Sequence, residues 1–454
     1  MEIINSLIGN LGNFIWGPIM LCFLIGTGLY LTIGLKGTSL TKVPLAFKLL
    51  LKGREKSEHH EGDISPYQAL MTSLAATVGT GNIAGVASAI FLGGPGAVFW
   101  MWISALVGMA SKLGEAVLAV KYREYNPEIK NFSGGPMYYI KNGMGSKWKW
   151  LGFLFALFGA LACFGTGCSV QANSISQVMK SNFGIPTFVT GIILAILTYF
   201  VVIGGIKRIG EVTEKLVPFM AIGYIIGTLA IIFVNYTEVL PAFKLIVVSA
   251  FKGHAVIGGF AGATVQQAIR YGIARGVFSN EAGLGTAAIA HASAVVRRPG
   301  EQGIIGILGG FLDTIIICSM TAFAILVTSG WTSGKTGADL TVYAFNQGLS
   351  GFGGYVVVFG LLFFAFSTII GWCYYGEKCF EYIFGAKVIK LYRYLWVIGV
   401  FLGSIAQLNL VWDLADVMNG FMMIPNLIAL IVLSPVVFKE MKEYFEEVRE
   451  IKNK

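Results

Sequence analysis

The sequence predicts an all-α integral membrane protein with eleven transmembrane helices, and three observations carry that reading. Of 454 residues, 55% are hydrophobic and only 13% charged, with a mean hydropathy of +0.72. A soluble domain carries about 25% charged residues, and half that share does not cover a water-facing surface. The apolar segments are long and unbroken, whereas a membrane barrel would alternate over strands of about ten residues. Lysine and arginine also fall on alternate loops, as they do in a chain threaded through a bilayer. The net charge of +9 is therefore a topology signal, and no nucleic-acid partner is expected.

A span needs about 20 apolar residues. Eleven runs qualify: 11–35, 66–91, 97–120, 150–179, 187–205, 212–234, 264–293, 304–329, 353–376, 393–409 and 413–438. With the N-terminus outside, the outside loops hold only Lys180, Lys244, Lys252 and Lys335. The inside segments hold Lys36 to Lys56, Lys121 to Lys149, Lys207 and Arg208, Arg297 and Arg298, Lys378 to Arg393 and the basic residues of the tail. The C-terminus is thus expected in the cytoplasm of a multi-pass cell-membrane protein. The 59 glycines suit close helix packing in lipid. Cys22, Cys163, Cys168, Cys318, Cys373 and Cys379 form no CxxC and no metal-type spacing, so neither disulfides nor zinc are expected. "MEIINSLIGNLGNFIWGPIM" has no basic segment ahead of its apolar run, and no cleaved signal peptide is expected.

Along the chain, the first run stands alone, giving a segment 1–64 of one helix and a cytosolic loop. Within that loop, "TSLTKVPLAFKLLLK" at 38–52 is expected to lie along the inner leaflet, interrupted by Pro44. "EHHEGD" at 58–63 has metal-like residue types but no further ligand, and reads as solvated loop. The second run contains "VGTGNIAG" at 78–85, where Gly79, Gly81 and Ala84 make a G-x-G-x-x-A pattern. That pattern marks a dinucleotide loop only between a strand and a helix of a βαβ unit. Here it lies in the middle of "ALMTSLAATVGTGNIAGVASAIFLGG", and it reads as a helix broken at membrane depth.

The seventh run carries a second copy, "SNEAGLGTAA" at 279–288, with Gly283, Gly285 and Ala288. The copies lie five spans apart, so they cross in opposite directions. Paired, Gly-interrupted helices in antiparallel halves point to an inverted-repeat secondary transporter. The repeats would be 65–234 and 235–438, five helices each, the second opened by an extracellular loop. The tail 439–454 reads as a solvated cytosolic helix.

A break frees backbone groups that only protein, water or ligand can satisfy. Freed N–H groups at a half-helix start suit a carboxylate, and freed carbonyls at a half-helix end suit a cation. Arg270 and Arg275 are costly at lipid depth, with Asp313, Asp413 and Asp416 as candidate partners; Arg270 with Asp416 would make an extracellular gate pair. Glu281, beside the second break, is expected to cap freed amides. Four histidines, two of them in the 58–63 loop, give no catalytic cluster, and no enzyme is expected.

The stretches "TVGTGNIAGVA", "GGPGAVFWMW", "GGPMYYI", "FSNEAGLGTAAIAHA" and "GWCYYGE", spread over 65–380, resemble the alanine/glycine:cation symporters. The resemblance implies Na+-coupled uptake of alanine or glycine, no organic cofactor, and a monomer in the bilayer as the working unit. It also implies a fold like that of the bacterial leucine transporter with one helix added in front. "AATVGTGN" looks like that transporter's first break. The likeness implies amides of Gly79, Thr80 and Gly81, with Asn82, at the substrate carboxylate. It implies carbonyls of Ala75, Val78 and Phe364 with the hydroxyls of Ser367 and Thr368 at one sodium. Thr77, Asn82 and Ser279 would serve a second. Gln171, Phe278, Ser279, Asn280 and Trp372 would line the substrate pocket, with Gln171 where the leucine transporter has a tyrosine. A proton-coupled symporter, or a facilitator without coupling, are the alternatives.

Overall fold

Backbone hydrogen bonds in a bilayer must close within the chain, and a helix closes all but its ends. The computed structural model describes residues 11–12, 14–54, 61–254, 262–406 and 409–452, and of 409–413 and 451–452 the backbone alone. Lys56, His59 and His60, and the side chain of Asp413, lie outside the described residues. Seven of the described helices are long and apolar enough to cross a membrane, or eight if a pair bent through 54° is counted as one span.

Helix α1 (Pro18–Gly34) starts on its proline, whose missing N–H is no loss in a first turn. Helix α2 (Val43–Lys52) follows a left-handed Gly37 and a short turn. Pro44 falls in the first turn of α2 and so starts this helix rather than interrupting it, which corrects the expected break. Ala46 and Leu50 are buried, while Lys48 and Lys52 stay exposed. Helices α3 (Pro66–Thr77) and α4 (Val86–Gly93) are the bent pair, joined by Val78 to Thr80 and a π-helical turn, Gly81–Gly85. Helix α5 (Gly96–Lys121) is buried over most of its length and runs through the middle of the molecule. A two-stranded hairpin follows, β1 (Glu124–Asn126) with β2 (Asn131–Ser133).

Helices α6 (Lys149–Ala162) and α7 (Val170–Phe183) continue through a π-helical stretch, Cys163–Ser169. Helices α8 (Thr187–Val202) and α9 (Gly205–Val234) complete the first half, and α10 (Val239–Lys252) lies in the following connection. Helix α11 (Val265–Asn280) stops at the second glycine pair, and α12 (Thr286–His291) resumes beyond it. Next come α13 (Pro299–Gly310) and α14 (Ser319–Val327), joined by π-helical Phe311–Cys318. Then follow α15 (Gly337–Gly348), α16 (Gly353–Phe384), α17 (Ile389–Ile405), α18 (Asn409–Val432) and α19 (Ser434–Lys452).

The two broken helices lie side by side and antiparallel. Both open on the same capping box, Ser65 with Gln68 and Thr264 with Gln267. At one end, the Asp63 N–H donates to the Ser293 carbonyl at 2.8 Å, and the Val295 N–H to the Ile64 carbonyl at 2.9 Å, tying the start of α3 to the chain leaving α12. At the other end, a Cβ on Gly93 would come within 3.0 Å of the Gln267 carbonyl oxygen, so the end of α4 meets the start of α11. Midway, a Cβ on Gly81 would lie 3.2 Å from the Ser279 Cα, so the two breaks face each other.

Two expected boundaries move. Helix α16 runs on past residue 376 because Lys378, fully buried, reaches Glu381 at 2.8 Å and Ser133 at 2.8 Å, so the charges are paired inside the protein. The tail is docked rather than simply solvated: Val437, Met441 and Tyr444 of α19 are buried, Glu440 pairs with Lys121 at 2.8 Å, and Glu447 holds Arg297 and Arg298.

Candidate functional site

At the end of α3 the helix cannot continue. Val78 turns to an extended conformation, ψ 96°, which leaves the last carbonyls of the half-helix without partners on their own helix. Helix α16 crosses there and supplies hydroxyls. Ser367 Oγ lies 3.1 Å from the Ala75 carbonyl oxygen, 3.4 Å from that of Val78 and 2.8 Å from that of Phe364. Thr368 Oγ1 lies 3.3 Å from the Val78 oxygen and 3.0 Å from the Phe364 oxygen. Five buried oxygens thus converge between two helices, a donor set suited to a hard cation. Trp372, one turn on, donates from Nε1 to the Ala76 carbonyl at 3.3 Å. Its ring lies on Gly167, where a Cβ would come 2.2 Å from the Trp372 Cβ, so only glycine fits at position 167.

The amides freed beyond the break face polar side chains. Gly79 donates to Asn82 Oδ1 at 2.8 Å, and Thr80 lies 3.5 Å from Gln171 Oε1. Gln171 in turn donates to the Thr166 carbonyl at 3.0 Å. The Thr80 hydroxyl is buried with no hydrogen-bond partner among the described residues. Gly79 is held to glycine by space, since a Cβ would come 2.5 Å from Thr368 Oγ1. Phe278 borders this region, its ring 3.4 Å from where a Gly81 Cβ would sit.

Between the two breaks lies Asp313, fully buried in the π-helical stretch after α13. It accepts from Asn82 Nδ2 at 2.7 Å, Ser279 Oγ at 2.9 Å and Thr314 Oγ1 at 2.8 Å. Asn280 joins through Thr314 at 3.1 Å. Asn82 and Ser279 are thus brought to one carboxylate, while the Thr77 hydroxyl bonds back to Ser73 of its own helix at 2.6 Å. Sequence reasoning placed Asp313 only as a partner for the arginines; the structure gives it neutral donors from both breaks. The arginine on Asp416 is Arg275, at 3.5 Å, where Arg270 was expected; the Arg270 guanidinium lies 5.6 Å from the Tyr271 ring centre. Five residues, about 1.4 turns, separate the two arginines, so they face different sides of α11 and only Arg275 meets α18.

Glu281 does not cap the second break's amides. It accepts from the Thr286 hydroxyl at 2.6 Å, while the Gly283 and Gly285 N–H groups go to Glu115 of α5 at 3.1 and 3.2 Å. Glu115 was missed, although an acid inside a membrane span is itself a signal. Among the described residues no cluster of three or more His, Cys, Asp or Glu is arranged to hold a metal.

Broken antiparallel helices with converging oxygens at their middle are the architecture of a membrane transporter. The comparisons agree. The full chain, 1–454, matches the sodium:alanine symporter family. It is 49% identical over 451 residues to the sodium/alanine symporter AgcS of Methanococcus maripaludis, covering 98% of each chain. It is 37% identical over 445 residues to the probable sodium/glutamine symporter GlnT of Bacillus subtilis, covering 98% of this chain and 91% of that one. Among solved structures it shares its fold with MhsT in complex with L-phenylalanine, with a TM-score of 0.57 at 14% identity, over 83% of this chain and 98% of that one. The chain belongs to the sodium:alanine symporter family. It is accordingly a multi-pass membrane protein that couples sodium to the movement of an amino acid.

Proposed function

We propose that this protein imports small neutral amino acids, alanine and glycine, by coupling them to Na+ entry through alternating access around the first break. The observation that carries the reading is the convergence of the Ala75, Val78 and Phe364 carbonyls with the Ser367 and Thr368 hydroxyls. One sodium there bridges α3 and α16 and favours the arrangement in which both are clamped. The substrate carboxylate then meets the amides of Gly79, Thr80 and Gly81 near Gln171. Phe278 and Trp372 limit the side chain to a methyl group or a hydrogen. The 49% identity to a sodium/alanine symporter supports alanine.

Asn82 and Ser279, together with Asp313, make a second cation position; Asp313 takes the place that the committed Thr77 hydroxyl leaves. Eleven spans in a one-plus-five-plus-five order are supported by a helix under each apolar run and by the antiparallel breaks. The loop charges support an outside N-terminus and a cytoplasmic C-terminus. The oxygens of the site all come from one chain, in keeping with a working monomer. The test is uptake of labelled alanine into proteoliposomes with and without a Na+ gradient. Gradient-driven accumulation is expected; uptake indifferent to Na+ would sink the coupled mechanism in favour of a facilitator.

A further inference from the structure

The two breaks carry the same G-x-G-x-x-A pattern, yet the amides they free meet different kinds of partner. In the first break the Gly79 N–H goes to an amide oxygen, Asn82 Oδ1, and the Thr80 N–H lies at the limit of hydrogen-bonding distance from another, Gln171 Oε1. In the second, the N–H groups of Gly283 and Gly285 both donate to one carboxylate oxygen, Glu115 Oε1, at 3.1 and 3.2 Å. Both glycines are left-handed, φ 87° and 84°, a conformation that aims their amides the same way and excludes larger residues. Asn426 of α18 tightens the arrangement. It donates to the same Glu115 oxygen at 2.8 Å and to the Gly283 carbonyl at 2.9 Å, and accepts from the Tyr139 hydroxyl.

Glu115 is fully buried, and its second oxygen, Oε2, has no hydrogen-bond partner among the described residues. Neither does the ammonium of Lys112, buried one helical turn earlier on the same face of α5 and interacting electrostatically with Glu281 and Glu115. A buried carboxylate needs both donors and a compensating charge. The glycine amides and Asn426 supply the donors, and the buried Lys112 ammonium is a positive charge shared among Glu281, Glu115 and Asp313.

We infer that Glu115 is a positioning residue: a fixed internal carboxylate that does permanently in the second break what the substrate carboxylate does transiently in the first. It locks the turn between α11 and α12 to α5 and α18. One break is thereby filled by the protein and rigid, and only the other is left to take a ligand. The comparison with the first break rests on the proposed substrate site; the lock itself stands on the distances around Glu115.

Hydrogen–deuterium exchange of the full-length protein in lipid nanodiscs tests the lock without Na+ or alanine, because exchange reads local opening. Glu115→Ala removes three hydrogen bonds and is expected to speed exchange in the 281–291 segment at least about tenfold, the worth of a single one of them. The 75–85 segment should keep its rate. Potassium formate should slow the 281–291 exchange again by restoring a carboxylate to the vacated space, and potassium chloride at the same concentration should not. Glu115→Gln, which keeps shape and one oxygen but no charge, should fold and show a smaller acceleration with no response to formate. Unchanged exchange in both variants, or acceleration in Glu115→Ala that formate leaves untouched, overturns the inference. In transport, Glu115→Gln should lower the maximal rate at unchanged half-saturation for alanine; a raised half-saturation with normal 281–291 exchange would assign Glu115 to the substrate site instead.

Discussion

Replacing Thr368 by Val separates ion binding from packing. Valine has nearly the shape of threonine and keeps the van der Waals contacts of a buried position on α16. What it loses is the hydroxyl that lies 3.3 Å from the Val78 oxygen and 3.0 Å from the Phe364 oxygen. The five-oxygen set becomes four. A hydrogen-bonding group facing a charged partner contributes about 1.5–3 kcal/mol. At about 1.4 kcal/mol per tenfold, the half-saturating Na+ concentration for alanine uptake should rise roughly 10- to 150-fold. Thr368→Ser, which keeps the oxygen, should stay within a few-fold of the parent. The assay is initial uptake of labelled alanine into proteoliposomes against Na+ concentration. Thermal unfolding with and without Na+ accompanies it, since a bound ion stabilises the fold in proportion to its occupancy. A Thr368→Val protein that transports with an unchanged Na+ dependence and an unchanged Na+-induced thermal shift would refute the placement of sodium between α3 and α16.

Asp313→Asn removes the charge that Asn82, Ser279 and Thr314 surround and should weaken Na+ dependence at least about tenfold, the scale of one charged contact; an unaltered Na+ titration would make Asp313 purely structural. Gly79→Ala puts a Cβ 2.5 Å from Thr368 Oγ1 and 3.5 Å from Gln171 Oε1. Overpacking of about 1–3 kcal/mol should raise the half-saturation for Na+ and alanine together, and normal kinetics for both would count against the shared site. Glu281→Gln keeps an oxygen for the Thr286 hydroxyl and should leave Na+-driven uptake intact and independent of pH; loss of a proton-driven component on that change would establish coupling to H+.

Much of the fold was legible because the bilayer imposes it. Continuous apolar runs can only be helices there, and a helix lies under each run found in the sequence. The positions of both breaks were legible from glycine, because G-x-G-x-x-A recurs in two oppositely directed spans, the pattern of paired broken helices. Charged residues near span ends were misread in two places. Lys378 and the α19 glutamates find partners in the folded protein, and a window of hydropathy carries no information about partners. Pro44 was misread because a proline that starts a helix and one that breaks it differ only in position.

The sequence by itself determined the solvent in which this protein lives and the places where two helices must open, since these follow from composition, periodicity and glycine pattern, while its family followed from the resemblance of whole stretches such as "TVGTGNIAGVA" and "FSNEAGLGTAAIAHA". Which side chains answer the opened backbone was decided by the tertiary structure alone. Asp313 and Glu115 are far from the breaks in sequence and were unassigned to them; crossing helices bring one between the two breaks and the other onto the Gly283 and Gly285 amides. The same crossings select Arg275 for Asp416. A buried polar group needs a partner within about 3 Å, and separation along the chain does not say which residue the packing of helices will carry that close.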